Sequence, residues 1–438
     1  MVQYKSFTLL NYRTMPQTSL ISKEDLEAIE VVGRVLPFKT NNYVTDKLID
    51  WSNIPCDPVF TLSFPRKEML CPEQYDRVKS LIDKKDYPAL DECVKEIRMG
   101  LNPNPSGQHY NIPEIDGIKL DGMQHKYRET VLLFPKHGQT CFAFCSFCFR
   151  WPQFSDMESL KFSMKKDFDL YLKYINSHPE ITDILLTGGD PMTMSCDLLK
   201  MYIEPFLKPE MDNIKTIRIG TKSLSYWPYR YTSDSDADEI IRLFERIVKS
   251  GKHLSIMAHF NHYIELSTNE VEKAIKRIRS TGAQIRTQSP VLKHINDSPE
   301  IWAKMWQRQV ELGCTPYYMF IARETGAKHF FELPLERCQE IFRKAYQQVS
   351  GIARAARGPS MSCYYGKIQV LGIEELDNRK MFVMRFIQGR NPDWVAKPFF
   401  AEYNPDATWI TQLKPLSGDK FFFENQDDSN DPCEDLSH

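Results

Sequence analysis

Three cysteines crowd one short stretch. Cys141, Cys145 and Cys148 stand in a C-x-x-x-C-x-x-C spacing that brings three thiolates onto one loop. A closed structural zinc site takes four ligands and an iron-sulfur cube has four irons to ligate, so three cysteines leave one metal position open to an exogenous ligand. Two other readings stand beside it: a zinc site completed by a distant histidine such as His259 or His262, or cysteines that are simply small buried hydrophobes. An aromatic residue, Phe147, precedes the third cysteine, and farther on the apolar run ITDILLT leads into Gly188-Gly189-Asp190. The remaining cysteines are scattered, and a total of 11 is an odd count for a disulfide framework. The crowded three have the spacing of metal ligands in a reducing compartment.

Chemistry of this kind needs a scaffold that brings distant loops together. From Thr130 to about Val370, short apolar runs (VLLF, ITDILLT, KTIRIG, HLSIMAHF, QIRTQSPVL, TPYYMFIA) alternate with helix-length segments. The segment NEVEKAIKRIRSTG predicts a helix with Val271, Ile275 and Ile278 on one stripe and Gly282 at its C-terminal cap. Such β-then-α repetition builds a parallel sheet, doubly wound or closing towards a barrel, with chemistry beyond the C-terminal strand ends. The cysteine loop follows VLLF at such an end. Before the repeat, Ser22 to about Gly117 reads as helices joined by Pro-rich connectors. The acid-rich end, QDDSNDPCEDLSH, predicts a mobile tail.

Composition narrows the classes. Lys plus Arg total 56 and Asp plus Glu 58, a net charge of −2 that argues against a nucleic-acid partner. With 42% hydrophobic and 12% aromatic residues the chain can bury a core. No apolar run approaches the roughly 18 residues that span a bilayer, and the N-terminal sequence lacks a signal-peptide pattern. A cytoplasmic protein without membrane contact is expected.

The cysteine triplet and the Gly188-Gly189-Asp190 turn match the signature of radical S-adenosylmethionine (SAM) enzymes. The resemblance is closer still. HKYRETVLLF, CFAFCSFCFR, ITDILLTGGDPM, IRIGTK, HFNH, TQSPVLKHIND and CTPYYMFIARETGAKHFF occur in an order that resembles the lysine 2,3-aminomutase family over about residues 55–375. The resemblance implies an α/β fold, a radical SAM partial (β/α) barrel over 121–375. Flanking it are a helical N-terminal extension over 1–120, a C-terminal segment over 376–425 and the disordered acidic tail over 426–438. It also implies three cofactors, a [4Fe-4S] cluster on Cys141, Cys145 and Cys148, SAM, and pyridoxal 5′-phosphate (PLP), with chemistry that moves an α-amino group to the β-carbon.

Several site residues follow from the same resemblance. The family's PLP lysine lies 16 positions after the glycine of a Ser-Gly pair, and Gly351 plus 16 is Lys367. Tyr127 occupies the position of a ring near PLP, Gln288 that of a glutamine near the phosphate and SAM, and Phe147, Gly188, Gly189 and Asp190 belong to the cofactor site. Arg150 matches the arginine that grips the substrate α-carboxylate, a task for a planar fork. The chain departs from the family at Thr130, where members carry a phosphate-binding arginine; Lys126, Tyr127 and Arg128 just upstream are candidates to compensate. The flanks of Lys367 differ too, with SMSCYYG before it and Ile-Gln after. Lysine-specific members hold the substrate ammonium with two acids, and counting places Arg323 and Ser360 at those positions. A lysine ammonium would meet a cation and a hydroxyl there, so glutamate or another acidic amino acid is the expected substrate. An electron donor such as flavodoxin or ferredoxin and self-association into a homo-oligomer are the expected partnerships. The competing functions are a PLP-independent radical SAM enzyme and a non-catalytic metal-binding interaction protein.

Overall fold

Eleven strands form one sheet in unbroken chain order: β1 (Met123–Tyr127), β2 (Thr130–Leu133), β3 (Asp183–Leu186), β4 (Thr216–Thr221), β5 (His253–His259), β6 (Gln284–Val291), β7 (Thr315–Ile321), β8 (Arg357–Ser362), β9 (Gly366–Leu376), β10 (Arg379–Gly389) and β11 (Pro398–Glu402). The computed structural model describes residues 2–101, 108–157 and 161–424, so the expected tail at 426–438 lies outside the described residues. Neighbours from β2 through β8 pair in parallel. Strand order decides between the two parallel architectures. A doubly wound sheet reverses direction at a switch point, whereas here every parallel strand lies beside the next one in sequence. The sheet is a partial (β/α) barrel, and its end strands β1 and β11 do not pair with each other.

Six helices make the crossovers: Phe168–Asn176, Cys196–Ile203, Ala237–Lys249, Asn269–Ser280, Pro299–Glu311 and Leu335–Gln347. The helix expected from NEVEKAIKRIRSTG runs Asn269–Ser280. The Thr268 side chain accepts from the backbone N–H of Val271, and Val271, Ala274, Ile275 and Ile278 are buried against the sheet. Gly282 sits just beyond the end at φ +88°. The strand residues Ile184, Leu186, Ile217, Ile219, Leu254 and Ile256 join one continuous core, where each such side chain contributes roughly 1.5–3 kcal/mol. Alternation then decides which residues face the barrel. In β4, Ile217 and Ile219 are buried towards the core while Arg218 and Gly220 look into the cavity.

The chain before the barrel carries helices Lys23–Val35, Pro72–Lys84 and Tyr87–Gly100, plus a strand pair that joins Ser6–Thr8 to Lys39–Asn41. Its apolar faces build two satellite cores, one with Trp151, Leu292 and Phe331, the other with Ala143, Tyr226 and Trp227. Both cover loops at the carboxyl ends of the barrel strands. After β8 the sheet continues antiparallel through β9, β10 and β11. Because β9 runs across position 375, residues beyond that point extend the same sheet. Among the described residues no helix is long and apolar enough to cross a membrane.

Candidate active site

The carboxyl ends of the parallel strands surround a cavity of about 320 Å³. β2 delivers the cysteine loop, β3 the Gly188-Gly189-Asp190 turn, β4 Arg218 and Lys222, β5 His259, β6 Gln288, β7 Arg323 and β8 Ser362; β9 adds Lys367.

The cysteine loop is pinned from two sides. From the N-terminal extension the Tyr4 hydroxyl donates to the Phe142 carbonyl at 2.6 Å, Lys39 Nζ donates to the Cys141 carbonyl at 2.7 Å, and Asn41 Nδ2 donates to the Phe142 carbonyl at 3.1 Å. From the barrel, the backbone N–H of Asp190 donates to the Thr140 carbonyl at 2.6 Å. That approach requires a residue without a side chain beside it, because a Cβ on Gly189 would lie 2.5 Å from the Thr140 carbonyl oxygen. Asp190 is itself fixed by Thr221 Oγ1 at 2.7 Å and the Lys222 backbone N–H at 2.9 Å, and burial raises its carboxyl to about 6.

Cys141, Cys145 and Cys148 all line the cavity. Burial raises each thiol, with Cys148 pushed up to about 12 and Cys145 adding to it by charge repulsion. Three such neighbours ionise together only opposite a strong positive charge, which is what a metal cluster provides. Among the described residues no three His, Cys, Asp or Glu side chains converge on a point close enough for a single ion. Of the two histidines considered for a zinc site, His259 lines the cavity with its Nε2 2.7 Å from Gln288 Nε2, whereas His262 does not line it and its Nδ1 accepts from the Ile264 backbone N–H at 3.3 Å.

Arg150 leaves the loop directly after the cysteines. Its guanidinium carbon lies 4.3 Å from the Phe134 ring centroid and 5.0 Å from that of Phe149, while that of Arg323 lies 4.3 Å from the same Phe149 ring. Burial lowers Arg150 to about 9, and the nearby Arg323 adds to the shift; burial lowers Arg323 to about 10. Glu324 does not claim this cation as its sole partner, since its carboxylate accepts from Thr411 Oγ1 at 3.2 Å. Ser360 is fully buried below the cavity, and its hydroxyl donates to the Met319 carbonyl at 3.4 Å. Ser362, two residues on, reaches the cavity wall in its place.

At the opposite end Lys367 Nζ donates to Gln388 Oε1 and lies 4.9 Å from the Tyr127 ring centroid and 5.3 Å from that of Tyr318. Burial holds this amine well below the usual lysine range, and Arg218, Lys126, Arg357 and Arg323 reinforce the shift. Of the residues proposed to compensate for Thr130, Lys126 lines the cavity, whereas Arg128 is exposed and does not. The Thr130 hydroxyl donates to Asp183 Oδ2 at 3.3 Å, and Arg218 pairs with the same carboxylate at 2.7 Å. Arg218 thus brings a guanidinium from the second strand over to the place where β2 offers none. Sequence reasoning missed Arg218, although a lone arginine at the inward position of TIRIGT was a readable signal; Lys222 and Tyr226 carried none. Among the described residues lining the cavity, Asp190 is the sole carboxylate, against Lys126, Arg150, Arg218, Lys222, Arg323, Lys328 and Lys367.

A partial (β/α) barrel with a three-cysteine loop after its first parallel strand and a Gly-Gly-Asp turn after the second has the architecture of a radical SAM barrel. The chain belongs to the lysine 2,3-aminomutase family: it is 30% identical over 396 residues, 90% of this chain and 92% of the relative, to "Putative L-lysine 2,3-aminomutase" of Aquifex aeolicus (strain VF5). It is also 26% identical to the glutamate 2,3-aminomutase of Clostridioides difficile (strain 630), over 72% of this chain and 64% of that one. A radical SAM methyltransferase from Sphaerobacter thermophilus covers 56% of this chain and 70% of its own at 12% identity, with a TM-score of 0.36. No protein-family model matches the chain.

Proposed function

We propose that the protein is a radical SAM, PLP-dependent 2,3-aminomutase that acts on an acidic amino acid, glutamate foremost. The observation that carries the substrate class is the pair of guanidiniums, Arg150 and Arg323, that share the Phe149 ring in the cavity wall; of the other cations there, Arg218 is paired with Asp183, Lys222 with Glu265 and Lys328 with Glu332. A lysine substrate would bring its ammonium into that field with no acidic partner; a dicarboxylate and a phosphate ester both gain from it.

Cys141, Cys145 and Cys148 would hold the [4Fe-4S] cluster, the strand ends at Gly188-Gly189-Asp190 and Gln288 would face SAM, and Lys367 would carry PLP between Tyr127 and Tyr318. When bound, these groups supply a hydrogen-abstracting carbon radical and an electron sink for nitrogen migration. The chain's own part is placement. Arg150 orients the α-carboxylate beside the cluster loop, and Arg323, against the same Phe149 ring, holds the distal carboxylate. Burial holds the Lys367 amine well below the usual lysine range, which favours its neutral, nucleophilic form. Phe147, Phe149, Tyr127 and Tyr318 line the space between and keep water out. The electron would come from a small carrier such as flavodoxin or ferredoxin.

The test is to incubate reduced enzyme with SAM, PLP and a panel of L-amino acids, and to screen for isobaric β-amino acids. Glutamate should be turned over well above lysine, and Arg323→Ala should lower glutamate turnover by a factor on the order of a hundred, the cost of a desolvated charge pair. Preferred turnover of lysine would sink the acidic-substrate reading.

A further inference from the structure

The cysteine loop has one contact that neither ligand duty nor substrate placement explains. Tyr226, at the end of the short helix Ser223–Tyr226 that follows β4, is 1% exposed, and its hydroxyl oxygen lies 3.5 Å from Cys145 Sγ. Its position is set independently of that contact. Asn41 Nδ2 donates to the Tyr226 carbonyl at 3.0 Å, and Lys222 Nζ, which is ion-paired with fully buried Glu265, lies 4.4 Å from the Tyr226 ring centroid. The same Asn41 side chain also holds the Phe142 carbonyl of the cysteine loop, so loop and tyrosine share one anchor.

We propose that Tyr226 tunes the reduction potential of the metal cluster by donating its hydroxyl hydrogen to the Cys145 sulfur. The proposal rests on the reading of Cys141, Cys145 and Cys148 as cluster ligands. With Cys145 as a thiol, the S–H donates to the phenol oxygen. With Cys145 as a thiolate bound to iron, the sulfur only accepts, and the buried O–H gains its partner. The contact therefore completes itself in the ligated state. Hydrogen bonds to cluster sulfurs withdraw electron density from the metal and favour the reduced form, which raises the potential. A potential within reach of a biological donor matters here, because the cluster must be reduced before it can cleave SAM.

The experiment uses the full chain, reconstituted with iron and sulfide under anaerobic conditions, and follows the reduced cluster by electron paramagnetic resonance during a redox titration. Tyr226→Phe should bind the same amount of iron per chain as wild type. At a fixed poise near the wild-type midpoint its ratio of reduced to oxidised cluster should fall about tenfold, equivalent to about 59 mV for a one-electron couple. A fluorotyrosine at position 226, a stronger donor of the same shape, should raise that ratio, and it decides the matter if the Phe protein assembles no cluster. A ratio within twofold of wild type in the fluorotyrosine protein, or a Phe protein that reduces as easily as wild type, would overturn the proposal. A wild-type chain that takes up no iron would overturn the cluster reading itself, and this proposal with it.

Discussion

At the cysteine end of the cavity the chemistry sits on eight consecutive residues, Cys141 to Cys148, on a loop held by Tyr4, Lys39, Asn41 and the Asp190 backbone. At the lysine end it is assembled from separate strands: β1, β4 and β9 bring Lys126, Arg218 and Lys367 to the cavity wall, and β8 adds Arg357, which lies over the Tyr317 and Tyr318 rings. The two ends differ in how they fail. A cluster needs every thiolate, so the contiguous end behaves as a unit. A crowd of cations from separate strands is redundant, and it loses function by degrees, except at the lysine that makes a covalent bond.

The sharpest way to break this comparison is at the cysteines. Replacing any one of Cys141, Cys145 or Cys148 by Ala should abolish reductive SAM cleavage and lower the iron content, while Cys196 and Cys363, buried elsewhere in the core, should be replaceable without loss of iron. Full SAM cleavage by any single loop mutant would show that the end does not act as a unit.

Next in size are two changes at the other end, which should separate from each other. Lys367→Ala should eliminate amino migration yet leave slow SAM cleavage intact, and borohydride should no longer trap PLP on the chain. Arg218→Met should leave trapping on Lys367 possible but weaken PLP binding by roughly tenfold to a hundredfold, the usual cost of about 1.5–3 kcal/mol for a lost hydrogen bond to a charged group. If the Arg218 variant binds PLP as tightly as wild type, the guanidinium from β4 does not stand in for the one that Thr130 lacks.

The same contrast explains what the sequence discloses. The cysteine spacing, the Gly188-Gly189-Asp190 strand end and the β-then-α period are local patterns, and the alternation of buried and inward residues follows from them. Strand order is not local; only the pairing of each strand with its successor separates a barrel from a doubly wound sheet. Ser360 lies outside the cavity lining for a related reason. Counting along a strand identifies a face but not a depth, and two residues separate the buried Ser360 from Ser362 at the cavity wall. Asn41 and Tyr226 carry no motif at all: Asn41 meets the cysteine loop because the N-terminal extension folds over it, and Tyr226 reaches it from the short helix after β4.

The smallest expected effect concerns how each end responds to pH without cofactors. Burial lowers the Lys126 amine to about 7, with Arg390 and Arg323 reinforcing the shift, against about 10.4 in an unfolded chain. Between these values the native state binds fewer protons at Lys126 than the unfolded state, so this residue makes stability rise with pH from about 7 upward, and withdraws that contribution as pH falls back through 7. Cys148 has the opposite sign: its thiol is raised to about 12, above the unfolded value of about 8.5, so its contribution is complete below pH 8.5 and is lost as pH climbs towards 12. Lys126→Met should therefore remove a gain of about 2 kcal/mol between pH 7 and pH 9 in urea unfolding of the cofactor-free protein, at 1.36 kcal/mol per pH unit reduced by the cavity's access to water. Cys148→Ser should instead lessen the decline above pH 9. Inorganic phosphate should flatten the wild-type slope between pH 7 and pH 9, since an anion seated among Lys126, Arg218 and Lys367 restores the charged amine. If Lys126→Met leaves that slope unchanged, the amine is charged in the native protein and the crowding of cations at this end is weaker than its geometry implies.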